Sequence, residues 1–268
     1  MALRLLNTRK FNSNIQNLAR YHDYVRLATP GGVIRVPLAS PKVIGIANSR
    51  GNRSHQEDFY GFATLSLDPE ELRVSVKKSH GVDWDPRKVG DAFSGQVVFV
   101  GIYDGHGGSA VSQYLRQELH GIFESVNKAA IPELFAWIKE LGGYFKRFKG
   151  GALAPWIHDA ENMPPMDLEA RATEAFFEDW AYLVFVSDGV SSILSDEEVV
   201  DLARNARDPK SAAESILAFA QELGGDDNAT ALVVPLAGWG KIQGPDRTKE
   251  LREYRRQQAV GSERQRRM

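Results

Sequence analysis

Gln96-Val-Val-Phe-Val-Gly-Ile-Tyr-Asp104-Gly-His-Gly-Gly108 is the stretch from which the fold can be read. After Gln96, the run Val97–Tyr103 has no polar alternation, which predicts a strand buried on both faces. The run stops at Asp104, a carboxylate at a strand end. Gly105, Gly107 and Gly108 then let the backbone turn sharply and approach an ion or a phosphate closely. A helical pattern comes next, with Val111, Leu115, Leu119, Ile122, Phe123 and Val126 on one face.

The same grammar recurs downstream. Tyr182-Leu-Val-Phe-Val-Ser187 reads as a second buried strand and ends at Asp188-Gly189. Ser195 and Glu198 form a capping-box pattern that opens a helix over 196–206. Asp208-Pro209 opens another, with proline at the first helical position and a stop at Gly224-Gly225. The turn Asp226-Asp227-Asn228 precedes a last strand, Ala229–Leu236. Upstream, residues 42–48 and 59–67 read as two strands of a hairpin joined by the loop Ser49–Gln56, with Glu57 and Asp58 at the start of the second. Residues 24–40 read as an opening strand. The polar stretch 68–96 reads as a surface excursion, and 130–148 and 166–179 as helices separated by a Gly/Pro-rich break. Residues 241–268, rich in Arg, Gln and Glu, read as a solvated or frayed helical tail because both charge signs are interspersed.

Composition narrows the chemistry. The 268 residues are 43% hydrophobic and 25% charged, with a formal net charge of -2. That suffices for one sizeable core and gives no overall pull toward nucleic acid or acidic membranes. No uninterrupted apolar run is long enough to span a bilayer. There are no cysteines, which excludes disulfides, thiolate zinc sites and cysteine nucleophiles. Residues 1–22 hold Arg4, Arg9, Lys10 and Arg20 and no acid, Asp23 being the first. This predicts a mitochondrial leader over 1–23; the alternative is an ordinary basic arm on a cytoplasmic protein.

Glu57-Asp58, Asp104, Asp188 and Asp227 each stand at a strand boundary. Asp188-Gly189 alone is an ordinary turn, as is Asp226-Asp227-Asn228, and His106 alone is an ordinary structural histidine. The ordered set is not explained that way. Gathering carboxylates costs several kcal/mol unless a cation compensates them, and an all-oxygen donor set suits magnesium or manganese.

In this order the motifs resemble those of the metal-dependent PPM family, the type 2C protein serine/threonine phosphatases. The segments that carry the resemblance are Arg53-Ser-His-Gln-Glu57-Asp58, Val98-Phe-Val-Gly-Ile-Tyr-Asp104-Gly-His-Gly-Gly108, Leu183-Val-Phe-Val-Ser-Asp188-Gly189 and Gly224-Gly-Asp-Asp227-Asn228-Ala-Thr-Ala. The resemblance implies an α+β fold, a four-layer α-β-β-α sandwich of two antiparallel sheets over residues 24–240, with a metal pair in the cleft between them. It implies that Asp104 bridges two Mg2+ or Mn2+ ions, that Glu57, Asp58 and the carbonyl of Gly105 serve one and Asp188 and Asp227 the other. Arg53 then holds the substrate phosphate and His106 protonates the leaving alkoxide. The implied reaction is hydrolysis of phosphoserine or phosphothreonine by a metal-activated water, on a phosphoprotein substrate, by a monomer. Asp104 and Asp188 lie 84 residues apart, fewer than the family usually places there, so some central strands are expected to be missing. A catalytically weak relative that binds phosphoproteins without turnover is the alternative, and a phosphoesterase for small esters a third reading.

Overall fold

The structure, a computed structural model, describes residues 22–90, 92–125, 180–242 and 244–258. Residues 1–21 of the leader expected over 1–23, the helices expected over 130–148 and 166–179, and the shortened middle expected between Asp104 and Asp188 beyond residue 125 lie outside the described residues. Helices and strands are numbered along the described chain.

Strands β1 (Tyr24–Thr29) and β2 (Gly32–Pro37) form an antiparallel hairpin rather than one opening strand. Pro30 and Gly31 make a two-residue turn, and Gly32 takes a φ of 119°, open to glycine. Strand β3 (Gly45–Ser49) and strand β4 (Phe59–Ser66) do not form the expected hairpin. β4 pairs with β5 (Gln96–Tyr103), from Phe59 opposite Tyr103 to Ser66 opposite Gln96. β3 pairs with β7 (Ala229–Pro235), which also pairs with β6 (Tyr182–Val186), giving the antiparallel order β3-β7-β6. The 50–58 segment thus crosses from one sheet to another instead of folding a strand back on its neighbour.

The stretch 68–96 is not a plain excursion. It opens with helix α1 (Pro69–His80), whose cap Asp68 accepts hydrogen bonds from the amides of Glu70 and Glu71 at 2.9 and 3.0 Å. Gly81, at φ 69°, closes it. Helix α2 (Ala110–Glu124) lies against β4 and β5. Its buried face holds Ser112, His120 and Gly121, with Leu115 and Leu119 partly covered, while Val111, Ile122 and Phe123 are exposed among the described residues. Short helix α3 (Asp188–Ser191) stands where only a turn is expected, while α4 (Asp196–Arg204) with its capping box and α5 (Pro209–Glu222) match the sequence expectation closely.

Among the described residues, two apolar clusters make the core. One lies between α4, α5 and the β3-β7-β6 sheet, with Ile216, Phe219, Ala231 and Val233 fully or nearly fully buried. Each large side chain there contributes about 1.5–3 kcal/mol by leaving water. The other joins the two sheets, with Leu232, Phe185 and Ile46 meeting Tyr60, Phe62, Val100 and Ile102. β7 supplies both clusters by alternation: Ala229, Ala231 and Val233 face the helices, while Leu232 and Val234 face the other sheet. It is β7, the central strand, that is buried on both faces. The expectation placed that role on β5 and β6, but Val98 is 39% and Leu183 36% exposed. β6 is an edge of its sheet, and β5 has only β4 beside it among the described residues.

As far as Gln258, the tail expected to be solvated is anchored. Helix α6 (Lys249–Gln258) forms there, and Arg255 is buried against Glu198 and the Ile193 carbonyl. Arg256 pairs with Glu222 at 2.8 Å, and Asp201 accepts from the amides of Arg247 and Thr248.

Candidate functional site

Register decides what converges. Because Phe59 sits opposite Tyr103, the residues just outside that pair, Asp58 and Asp104, stand side by side at one sheet end. In the other sheet Val186 sits opposite Ala231 and Ser49 opposite Ala229. Asp188 and Asp227 therefore leave the sheet at one edge of the fold. A cleft of about 430 Å³ opens between these ends, lined by Arg53, Ser54, His55, Glu57, Asp58, Asp104, Gly105, His106, Asp188, Asp227 and Asn228. All eight residues expected from the sequence line it.

The backbone is packed closely at the junctions. A Cβ on Gly105 would collide with the Glu57 carbonyl, and one on Gly189 with the Asn228 carbonyl. Ser112 of α2 donates to that same Glu57 carbonyl at 2.6 Å, tying the helix to the acidic loop. Gly107, at φ 74°, turns the chain from β5 toward α2.

Asn228 has no role in the sequence pattern, yet it organises the loop. Its side-chain oxygen accepts the Glu57 amide at 2.7 Å, and its nitrogen donates to the carbonyls of Arg50 and His55 at 2.8 and 3.0 Å. Nothing in the sequence but its place beside Asp227 signals this. Thr230 and Ser187, also unassigned from sequence, lie behind Asp58: the Thr230 hydroxyl donates to Asp58 Oδ2 at 3.0 Å, and Ser187 hydrogen-bonds the same carboxyl.

The electrostatics are those of crowded acids. Asp58 is 2% exposed. Burial pushes its carboxyl above the usual range, the bonds from Ser187 and Thr230 oppose that, and the charges of Asp188 and Asp227 add to it. Asp188 is raised by burial and then by neighbouring Asp104, whose Oδ2 accepts the Asp188 amide at 3.3 Å. Arg53 offsets part of this charge through a 2.8 Å pair with Asp227. His106 is exposed on the cleft wall.

Among the described residues, no three His, Asp or Glu side chains stand already gathered about one point as an ion's ligands. The donor chemistry nevertheless fits a hard divalent ion. Five carboxylates and a glycine carbonyl share one cleft, and two of the carboxyls are held above their usual range by burial and by the charge of their acidic neighbours.

The Protein phosphatase 2C family profile matches residues 169–229. Protein phosphatase 2C homolog 4 of Schizosaccharomyces pombe is 34% identical over 121 residues, 44% of this chain and 28% of that protein. Protein phosphatase 1K, mitochondrial, of Xenopus laevis is 36% identical over 73 residues, 27% of this chain and 20% of that protein. The chain thus spans less than a third of the length of these two relatives. Probable protein phosphatase 2C 45 of Oryza sativa subsp. japonica is 22% identical over an alignment of 71% of this chain and 86% of that protein.

Proposed function

We propose that this chain is a protein phosphatase 2C relative, as its partial match to that family's profile and to its members supports, and that it hydrolyses phosphoserine and phosphothreonine in proteins. The observation that carries the reading is the meeting of five carboxylates, from four separate chain segments, in one cleft. Glu57, Asp58, Asp104, the Gly105 carbonyl, Asp188 and Asp227 would hold two Mg2+ or Mn2+ ions. Bound there, the ions supply positive charge and acidify a water for attack on phosphorus.

The chain's own residues do the rest. Arg53 presents a planar fork that suits two phosphoryl oxygens, and it lines the cleft, paired with Asp227 at 2.8 Å. As the bond from phosphorus to the Ser or Thr oxygen breaks, His106 gives the leaving oxygen its proton. The products are inorganic phosphate and the free hydroxyl. No covalent enzyme intermediate is required, consistent with the lack of cysteine.

The four-layer arrangement is supported by α2 on β4-β5, the shared inter-sheet cluster, and α4 and α5 on the outer face of β3-β7-β6. Similarity to a mitochondrial relative, together with the acid-free first 22 residues, supports a mitochondrial location.

The test is phosphate release from a phosphothreonine peptide by the full chain with and without Mn2+, alongside Asp104→Asn. The proposal expects release that requires Mn2+ and vanishes in the variant. A folded parent that releases none overturns it.

A further inference from the structure

Behind Asp58 runs a line of hydrogen bonds whose direction is set by chemistry. Gln56 Nε2 donates to Asn48 Oδ1 at 2.6 Å, and Asn48 Nδ2 donates to Thr230 Oγ1 at 2.8 Å. Thr230 Oγ1 lies 3.0 Å from Asp58 Oδ2. An amide nitrogen can only donate and a carboxylate can only accept. With an amide proton already pointed at its oxygen, the single proton of Thr230 is committed to Asp58.

Ser187 repeats the device. Its Oγ accepts the Thr230 backbone amide at 2.9 Å, so its own proton is left for Asp58, to which it is hydrogen-bonded. Thr230 and Ser187 are 0% and 3% exposed, and Asp58 is 2% exposed, so water does not compete for these bonds. Strand parity explains why Thr230 is there: it precedes Leu232 by two residues on the β7 face that meets the β4-β5 sheet, and Asp58 immediately precedes β4.

We propose that Thr230 and Ser187 are paired positioning residues. Their two directed hydroxyl protons, the first oriented by Asn48 and Gln56, fix the rotation of the Asp58 carboxylate and leave its remaining lone pairs facing the cleft for a divalent cation. This rests on the two-metal reading given above. Outer partners of this type change metal affinity by about 10- to 100-fold when removed.

The experiment is calorimetric titration of the full chain with Mn2+, in the parent, Thr230→Val, Thr230→Ser and Ser187→Ala, each checked for folding by circular dichroism. Thr230→Val keeps the β-branched shape and deletes the hydroxyl; its Mn2+ dissociation constant should rise about 10- to 100-fold. Thr230→Ser restores the donor and should bind as the parent does, a rescue that a purely space-filling role for Thr230 would not produce. If Thr230→Val does not fold, Ser187→Ala reads the second donor and should also weaken uptake. Parent-like affinity in a folded Thr230→Val or in Ser187→Ala overturns the assignment while leaving the metal site standing. A parent that takes up no Mn2+ overturns the two-metal reading, and this inference with it.

Discussion

Asn228→Ala should loosen the whole acidic loop. The Asn228 side chain makes three hydrogen bonds to backbone groups of the 50–57 segment, at 2.7, 2.8 and 3.0 Å, and is 6% exposed. A net contribution of about 0.5–1.5 kcal/mol each gives a loss of roughly 1.5–4.5 kcal/mol. At roughly 2–4 °C per kcal/mol for a protein of this size, the melting temperature should fall by roughly 3–18 °C. Asn228→Asp keeps the acceptor for the Glu57 amide and loses both donors, so it also sets a new carboxylate against the Arg50 and His55 carbonyls. Its loss should be at least as large as that of Asn228→Ala. Urea denaturation followed by tryptophan fluorescence measures both. A loss below about 0.5 kcal/mol for Asn228→Ala, the size of an ordinary surface change, would refute the claim that this residue pins the loop.

Arg255→Met removes the partner of Glu198, which is 1% exposed. An uncompensated buried charge costs about 3–5 kcal/mol, and chemical denaturation should show a loss of that order, with a smaller loss in Arg255→Met combined with Glu198→Gln. Arg53→Ala breaks an exposed pair with Asp227, so stability should change by less than about 1 kcal/mol, while kcat/KM for a phosphopeptide falls at least about tenfold. Asp246 is held below the usual carboxyl range, chiefly by its hydrogen bonds from Arg252. A lowered carboxyl stabilises the fold at pH above the ordinary carboxyl range, and that stability is lost as pH falls through the lowered value. The melting-temperature gap between parent and Asp246→Asn should therefore be widest near neutral pH and close on acidification; a gap that widens toward acid would contradict the pairing.

Local rules are legible wherever the cause is local. Asp208-Pro209 and Ser195 with Glu198 open helices where capping requires them. The expectation of a surface excursion over 68–96 misses α1, although Asp68-Pro69-Glu70-Glu71 is an N-terminal signature of the same kind. The strand ends at Asp104 and Asp188 are visible because an apolar run stopping at an acid and a glycine is a local event, and Asp227 because the polar turn Gly224-Gly-Asp-Asp227-Asn228 opens the last strand. Arg255 reads as one of many solvated cations because nothing in residues 249–258 points to Glu198, 57 positions away.

By itself, then, the sequence determined which residues carry oxygen donors, where the chain must turn, and the hydrophobic periods of its helices and strands, because these depend on neighbours within a few residues. Only the tertiary structure decided that β3 joins β7 rather than β4, that β7 and not β5 is the doubly buried strand, and that Asn228, Thr230 and Ser187 stand behind the acids. Strand partner and register are set by long-range burial of both faces at once. A shift of one residue would turn Thr230 from Asp58 to the helix side, and no stretch of sequence contains both surfaces that forbid it.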